Sequence, residues 1–227
     1  MKHIGIAAVT AEGAALVYRR ICSFSTTRLG KHCHPEISLH SFSFSEHVNA
    51  GPNRREKWAE LIAQSAMKLH RSGADFMICP SNTPHDVYSI VEPLLPFPWL
   101  HIASSVRRMA ESKNINRVLL LGTRFTIEGD VYDKEFSGSG IELMRPDNDE
   151  AIQIHQYITA ELVSGYVSNQ SKQFFLQLLK KYALEGAGGV ILGCTELPLV
   201  VTKENSYLPV LDSTIALADA AVEYAIE

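Results

Sequence analysis

Two apolar runs, one in each half of the 227-residue chain, end in small polar residues whose side chains could act as nucleophiles or proton carriers. The first run, Asp75–Ile78, leads into Cys79–His85, and the second, Gly189–Leu192, leads into Gly193–Pro198. Short apolar runs bounded by turn residues are typical of buried strands. Two such strand ends could hold groups on opposite faces of one ligand, which is what stereoinversion at a carbon atom requires.

Strand-like and helix-like segments alternate along the whole chain. Ile4–Val9 is typical of a strand and Ala11–Ile21 of a helix, and Trp58–Ser72 carries apolar residues at helical spacing. This alternation predicts an α/β fold with mainly parallel sheets covered by helices, in two Rossmann-like domains. Ligands bind such sheets at the carboxyl ends of the strands, where Ser81 and Cys194 are expected to lie.

The pattern of elements repeats once along the chain, and the best boundary between the copies lies near Pro96–Pro98. The last strand, Leu208–Leu211, and the last helix, Thr214–Ile226, are expected to return to the first half. The predicted domains are therefore residues 1–98 with 209–227, and residues 99–208. The active site is expected in the cleft between them.

Composition excludes several classes of function. With 46% hydrophobic and 20% charged residues the chain is typical of a globular protein. A net charge of −4 without a basic block argues against a nucleic-acid partner. No run approaches the roughly 18 apolar residues of a membrane helix, so no membrane partner is expected. The four cysteines lack zinc-ligand spacing, which predicts no metal, and their scarcity suits a reducing cytoplasm.

Cys194 is the most informative single residue. Its thiol has an ordinary pKa of about 8.5, and backbone N–H groups at a following helix start can lower that pKa. A thiolate at this position could be a proton acceptor or a nucleophile. The alternative is an inert buried cysteine, the commoner case for this residue type, but the matching strand end in the other half favours a functional role.

Ser81 occupies the corresponding place in the first half. A hydroxyl is a much weaker base than a thiolate and needs a partner to activate it, but it can donate a proton, position a water molecule or hold a carboxylate. Cys79, two residues earlier, would point to the same side of a strand and is a conceivable substitute. Deeper burial is the favoured interpretation of Cys79.

Polar residues beside these strand ends are candidates for substrate binding. Asn82, Thr83 and Thr195 supply amide and hydroxyl groups, and Thr10 follows the first strand in the same way. Turns into helices also expose backbone N–H groups that favour carboxylates. The same residue types are preferred helix caps, and both roles can hold at once.

Charged residues near the motifs have more than one interpretation each. Arg54 and Arg55 suit bidentate carboxylate binding, or form a solvated surface pair. Glu196 could orient a partner, bind an ammonium group or cap a helix. His85 and His101 could orient other groups, although a satisfied histidine near a loop is the simpler interpretation.

Seven segments together resemble the aspartate/glutamate racemase superfamily, over nearly the whole chain. The most specific are the cysteine segment and the Leu-Gly-Thr segment, and the others add weight by their order and spacing. The seven segments are Thr10–Glu12, Asn53–Arg55, Ser81–His85, His101–Ala103, Leu121–Thr126, Leu192–Leu197 and Leu208–Asp212.

The resemblance implies two α/β domains about a pseudo-twofold axis, a homodimer and catalysis without a cofactor. One group removes the α-proton of a dicarboxylic amino acid and another reprotonates the opposite face. Both are usually cysteines; here Cys194 matches the second and Ser81 replaces the first. The resemblance also places Thr123 and Thr126 in substrate binding. Ser168 falls near a lysine that some members carry.

The serine at position 81 predicts that the reaction has a preferred direction. Cys194 would be an effective base for one enantiomer, and Ser81 would only return a proton. The leading hypothesis is a racemase of aspartate, glutamate or a close analogue. The alternatives are a one-thiol decarboxylase or isomerase of a dicarboxylic acid in the same superfamily, and a catalytically weak protein that binds amino acids or dicarboxylates.

Overall fold

The computed structural model describes residues 1–49 and 51–227, and at Pro52 the backbone alone. The described chain divides into two compact units, Met1–Ser105 with Thr214–Glu227, and Val106–Ser213. The strands are β1 (Ile4–Ala8), β2 (Ile37–Ser41), β3 (Phe76–Ile78), β4 (Trp99–Leu100), β5 (Arg117–Leu121), β6 (Glu142–Met144), β7 (Gly189–Leu192) and β8 (Val210–Asp212).

Helices connect the strands. They are α1 (Ala11–Leu29), α2 (Phe44–Val48), α3 (Arg54–Arg71), α4 (Tyr88–Val91), α5 (Ile102–Ser112), α6 (Arg124–Glu128), α7 (Val131–Phe136), α8 (Asn148–Ala160), α9 (Asn169–Leu184) and α10 (Ser213–Ile226). Single 3-10 turns include Thr83–Val87 and Leu197–Leu199. Among the described residues, no helix combines the length and apolar character needed to cross a membrane.

Each unit contains one four-stranded parallel sheet, and the two sheets have the same strand order. The orders are β2-β1-β3-β4 and β6-β5-β7-β8. The predicted α/β fold with parallel sheets is confirmed, and the half-chain repeat is visible in the topology. Ser81 follows β3 and Cys194 follows β7, the third strand along the chain in each sheet, so the two residues occupy equivalent positions.

The inner strands of both sheets are buried and apolar along their length, as is usual for parallel sheets. In the first unit Ile4 and Ile6 pack with α1 and α10, whereas Ala7 and Met77 pack with α3 on the other face. This alternation is the two-residue period of a strand. In the second unit, Leu119 and the neighbouring strand residues pack against α8 and α9.

The predicted domain boundaries need correction at two short strands. Residues 99–208 were expected to form the second domain, but Trp99 pairs with Met77 of β3, so β4 belongs to the first sheet. Residues 209–227 were expected to return to the first unit, but Leu211 pairs with Ile191 of β7. Only α10 packs on the first core, through residues such as Leu217. Strands of two or three residues carry too little pattern to show which sheet they join.

Side-chain caps fix the starts of three long helices. The Thr10 hydroxyl accepts a hydrogen bond from the Gly13 N–H (3.2 Å) at the start of α1. Asp147 and Glu150 form a reciprocal capping box at the start of α8. Ser168, at the position near the family lysine, accepts from the Ser171 N–H (3.0 Å) and caps α9.

Candidate active site

The strand that leads to Cys194 is followed by Gly193, a position with no room for a side chain larger than hydrogen. The Gly193 N–H donates to the Leu121 carbonyl of the neighbouring strand (2.8 Å). A Cβ on Gly193 would lie 2.8 Å from that same oxygen and 3.0 Å from the Thr126 methyl group. Such distances are shorter than van der Waals contact, so β7 needs glycine here to pass β5 closely before the chain turns at Cys194.

The Cys194 thiol forms a hydrogen bond with a carboxylate. Its Sγ lies 2.8 Å from Glu196 Oε2, and the half-buried thiol is the donor. Burial, and then the Glu196 carboxylate, raise the pKa of the Cys194 thiol above its ordinary value, and backbone hydrogen bonds from Glu196 and Thr195 oppose that rise only in part. Cys194 is therefore a protonated thiol at neutral pH, and Glu196 is positioned to accept its proton.

Of the roles considered for Glu196, the structure supports orientation of a partner. Glu196 precedes the 3-10 turn Leu197–Leu199 but makes no side-chain capping bond to it. Thr195 and Glu196 are both partly exposed, at the carboxyl edge of the second sheet.

The Ser81 strand end has different neighbours from the Cys194 strand end. Ser81 is partly exposed, and the 3-10 turn Thr83–Val87 follows it. Within residues 1–49 and 51–227, no histidine, aspartate or glutamate side chain is hydrogen-bonded to the Ser81 hydroxyl. Asn82 is 5% exposed and makes no side-chain capping bond to the turn. Ser81 thus has a proton to give, and the described part of the chain supplies no hydrogen-bonded partner that would make it a base.

Cys79 is a core residue. It is fully buried in the apolar cluster around β3, and burial raises the pKa of its thiol to about 12. Its thiol lies 4.0 Å from the Ser81 carbonyl oxygen, which is a long distance for a hydrogen bond. The structure therefore supports deeper burial over the alternative that Cys79 substitutes for Ser81 in proton transfer.

His85 and His101 lie beneath the Ser81 strand end. His85 Nε2 is 3.1 Å from the Cys79 carbonyl oxygen, two residues before Ser81, and its ring meets His101 edge-on at 4.6 Å. Burial, and then His101, hold the pKa of His85 well below its ordinary value. A neutral imidazole with Nε2–H as donor fits this contact, so His85 orients the strand end rather than carrying charge.

The two arginines have different neighbours. The Arg54 guanidinium lies over the Trp58 ring, 5.3 Å from its centroid. Arg55 pairs with Asp86 (Nε–Oδ2 3.2 Å), which belongs to the turn after Ser81. Arg55 therefore connects α3 to the Ser81 segment.

The predicted threonines divide into exposed and packed side chains. Thr123 is partly exposed at the end of β5, and its hydroxyl lies 3.3 Å from that of Thr126. Thr126 is 3% exposed, with its methyl group over Gly122 and Gly193. Within each unit the predicted residues share one sheet edge, because Thr10 and Ser81 follow paired strands, as do Thr123 and Cys194.

Comparison with known proteins identifies the family of this chain. A model of the Asp/Glu/Hydantoin racemase family matches residues 6–221. The chain belongs to that family. The broad-specificity amino-acid racemase RacX of Bacillus subtilis is 29% identical over 171 residues, 75% of this chain and 74% of RacX.

Solved structures of racemases and a racemase homologue have the same fold as this chain. An aspartate racemase homologue from Pyrococcus horikoshii OT3 is 32% identical with a TM-score of 0.88, and the match covers 100% of both chains. A glutamate racemase from Francisella tularensis shares the fold at 16% identity, with a TM-score of 0.71 over 99% of this chain and 81% of that one. The predicted superfamily and an enzyme of the racemase type are therefore confirmed.

Sequence reasoning missed two residues beside the racemase motif. Ser213 follows β8, and its hydroxyl donates to the Leu192 carbonyl (2.8 Å), two residues before Cys194. The fully buried Tyr132 is hydrogen-bonded to Ser213. Ser213 could have been found as another small polar residue after an apolar strand, whereas nothing in the sequence around Tyr132 indicates its contact.

No metal site competes with this interpretation. In the part of the chain that the structure describes, no group of three or more histidine, cysteine, aspartate or glutamate side chains is arranged to hold a metal ion. All four cysteines are free thiols.

Proposed function

We propose that this protein racemises aspartate, glutamate or a close analogue without a cofactor. In this proposal Cys194 is the main acid/base residue, and Ser81 takes the place of the second acid/base residue. The observation that carries the proposal is the Cys194 thiol at the end of β7, hydrogen-bonded to the Glu196 carboxylate (2.8 Å), in a chain of the Asp/Glu/Hydantoin racemase family.

Cys194 and Glu196 together form a base. The thiol is protonated in the free protein, so it first transfers its proton to the Glu196 carboxylate, and the resulting thiolate takes the α-proton of the substrate. The carbon atom keeps the electron pair of the broken C–H bond, and sulfur becomes a thiol again. Positioned general bases of this kind contribute on the order of 10²–10⁴-fold to rate.

Ser81 completes the inversion as an acid. Its hydroxyl gives a proton to the opposite face of the carbanion and recovers one from solvent, while Glu196 releases to solvent the proton that it took from Cys194. In the reverse direction Ser81 would have to abstract the α-proton, and it lacks the hydrogen-bonded acceptor that Cys194 has in Glu196. Abstraction on the Ser81 face is therefore expected to be the slower event.

The equal stability of the two enantiomers limits which measurements can reveal the difference between abstraction by Cys194 and abstraction by Ser81. The two enantiomers have equal free energy in water, so a true racemase must have equal kcat/KM values in both directions. The directional preference therefore appears in α-proton exchange with solvent. The enantiomer whose α-proton faces Cys194 exchanges that proton with retention of configuration, and the other exchanges only through slow inversion.

Substrate binding is assigned to polar groups at the two sheet edges. Backbone N–H groups and hydroxyls favour carboxylates, and Arg54 supplies a guanidinium for the second carboxylate of the substrate. The proposed binding residues are Thr10, Arg54, Asn82, Thr83, Thr123, Thr126, Thr195 and Glu196. We also propose that the protein is a homodimer and that it works in the reducing cytoplasm.

The direct test is incubation of the purified protein with L- and D-aspartate and L- and D-glutamate, without added cofactor, followed by chiral chromatography. The proposal predicts inversion of at least one pair, and loss of that inversion in Cys194→Ala. Inversion that survives in Cys194→Ala would remove Cys194 from the mechanism. No inversion of any of the four would contradict the proposed substrate class.

A one-thiol enzyme is the second candidate, and the unactivated Ser81 hydroxyl is the observation that favours it. A decarboxylase or isomerase of a dicarboxylic acid would need Cys194 alone. Release of carbon dioxide, or conversion of a dicarboxylic acid to an isomer without amino-acid inversion, would support this candidate. Thermal stabilisation by aspartate without any exchange would instead indicate a binding protein.

A further inference from the structure

The Thr126 side chain packs against two glycines that follow neighbouring strands. Gly122 comes directly after β5 and Gly193 directly after β7, and Cys194 is the next residue. A Cβ on Gly122 would lie 2.9 Å from Thr126 Cβ, and a Cβ on Gly193 would lie 3.0 Å from Thr126 Cγ2. The Thr126 methyl group therefore occupies the space that side chains at these two positions would need, and it contacts both strand ends.

This contact restrains the residue that leads into Cys194. Thr126 is 3% exposed, and protein interiors are close-packed, so the loss of one buried methyl group is not fully compensated by the surrounding atoms. Glycine has more backbone freedom than any other residue. Gly193 therefore depends on its neighbours, among them the Thr126 methyl group, to keep one conformation before the turn at Cys194.

The Thr126 hydroxyl makes a separate contact, with the hydroxyl of Thr123 (Oγ1–Oγ1 3.3 Å). Among the side chains that the structure describes, Thr123 is its one hydrogen-bond partner. A buried donor without an acceptor is costly, so we assign the Thr126 hydroxyl as the donor. Thr123 is partly exposed, and it thereby keeps its own hydrogen for a second acceptor.

The Thr123 hydroxyl does not use this hydrogen to cap the following helix. Thr123 precedes α6 and makes no side-chain capping bond to it, although threonine is a preferred cap. Its backbone carbonyl accepts from the N–H groups of Thr126 and Ile127 (2.9 and 3.0 Å). A hydroxyl that accepts one hydrogen bond donates the next one more strongly, so Thr123 is suited to donate to a carboxylate.

We infer that Thr126 is a positioning residue with two separable functions. Its methyl group holds Gly193 and thereby the direction of the Cys194 thiol, and its hydroxyl orients the Thr123 hydroxyl toward a carboxylate of the substrate. Thr126 thus takes part in substrate binding through Thr123. The effect on the substrate rests on the proposed function, whereas the effect on the Cys194 thiol does not.

Two variants of similar size separate the functions, because Thr126→Val keeps the methyl group and Thr126→Ser keeps the hydroxyl. Thr126→Val is expected to raise KM about fivefold to tenfold, the usual effect of one lost hydrogen bond, with kcat within about twofold. Thr126→Ser is expected to lower kcat about fivefold to tenfold, because the thiol is no longer held in place, with KM within about twofold.

The position of the thiol is measured by alkylation with iodoacetamide at pH 8 and peptide-resolved mass spectrometry. Alkylation of Cys194 should become about threefold to tenfold faster in Thr126→Ser and stay within about twofold in Thr126→Val. Ile154→Val is the matched control, since it removes one methyl group from a fully buried residue of the same unit. An equal rise in Ile154→Val and Thr126→Ser, or no rise in Thr126→Ser, would overturn the role of the methyl group.

The role of the hydroxyl is tested by combining variants. If Thr126 acts through Thr123, then Thr126→Val should raise KM by less than about twofold in a chain that already carries Thr123→Val. A larger further rise would show that the Thr126 hydroxyl acts independently of Thr123. If the unaltered protein does not racemise, the proposed function fails and the alkylation rates still decide the role of the methyl group. Calorimetric affinity for aspartate and glutamate then replaces KM, and a protein that binds neither would overturn the role of the hydroxyl.

Discussion

At the scale of single residues, the proposed mechanism depends on a difference between two proton carriers. Cys194 is hydrogen-bonded to a carboxylate, whereas among the residues that the structure describes no carboxylate is hydrogen-bonded to the Ser81 hydroxyl. A thiol is also a much stronger acid than a hydroxyl, so its anion is formed at far lower cost. Changes at residues 81 and 196 should therefore affect the chemistry more than the fold.

Replacing Ser81 with cysteine should raise the racemisation rate. A thiol at this position restores a second group that can both donate and abstract, and the racemisation rate is expected to rise about 10²-fold, within the usual range of a general acid/base. Chiral chromatography at fixed protein concentration measures this rate, with Ser81→Ala as the matched control that should be slower than the unaltered chain. A Ser81→Cys variant no faster than the unaltered chain would contradict the assigned role of Ser81.

Replacing Glu196 with glutamine should separate thiol reactivity from catalysis. Removal of the carboxylate lowers the raised pKa of Cys194, so alkylation of Cys194 at pH 8 is expected to become about threefold to tenfold faster. Racemisation should become slower, because the thiol loses its proton acceptor. Glu128→Gln, at an exposed residue that pairs with Arg124, should change neither rate. Unchanged alkylation in Glu196→Gln would show that the carboxylate does not control the thiol.

At the scale of elements, the close approach of β5 and β7 places Cys194. Gly193→Ala would bring a methyl group to 2.8 Å from the Leu121 carbonyl, so the strand end must shift. Overpacking of this kind costs about 1–3 kcal/mol. Urea denaturation should show that loss, together with slower racemisation. Gly188→Ala is the control, since its Cβ would make only ordinary contacts at 3.4 and 3.5 Å. Equal stability of the two variants would contradict the described geometry.

Sequence reasoning succeeded for elements wherever the pattern was long. The apolar runs before Ser81 and Cys194 predicted buried strands, and the repeat predicted two similar sheets. It failed at β4 and β8, because two or three residues do not specify a partner strand. The contact of Cys194 with Glu196 and that of Tyr132 with Ser213 depend on turns and on tertiary packing, which spacing along the chain does not encode.

At the scale of the whole molecule, buried histidines should couple stability to pH. The pKa of His85 is well below its ordinary value of 6.5 in the folded protein, so the unfolded chain binds a proton that the folded chain cannot. Stability from this residue is therefore present above about pH 6.5 and is lost as pH falls below it. The slope approaches about 1.4 kcal/mol per pH unit.

The contribution of His85 can be isolated by comparison with His85→Gln, because other groups also titrate in this range. The amide can still donate to the Cys79 carbonyl but does not titrate. Urea denaturation between pH 5 and pH 7 should show a shallower loss of stability in His85→Gln than in the unaltered chain. Parallel curves would show that His85 is not held neutral in the folded protein.

The central claim, that Cys194 with Glu196 is the effective base and Ser81 only a proton donor, is tested most directly by α-proton exchange in deuterated water. Each enantiomer of aspartate and glutamate would be followed by NMR, beside Cys194→Ala. We expect one enantiomer of the substrate to exchange its α-proton with retention at least about tenfold faster than the other, and we expect this exchange to disappear in Cys194→Ala. Equal exchange of both enantiomers, or exchange that persists without the thiol, would contradict it.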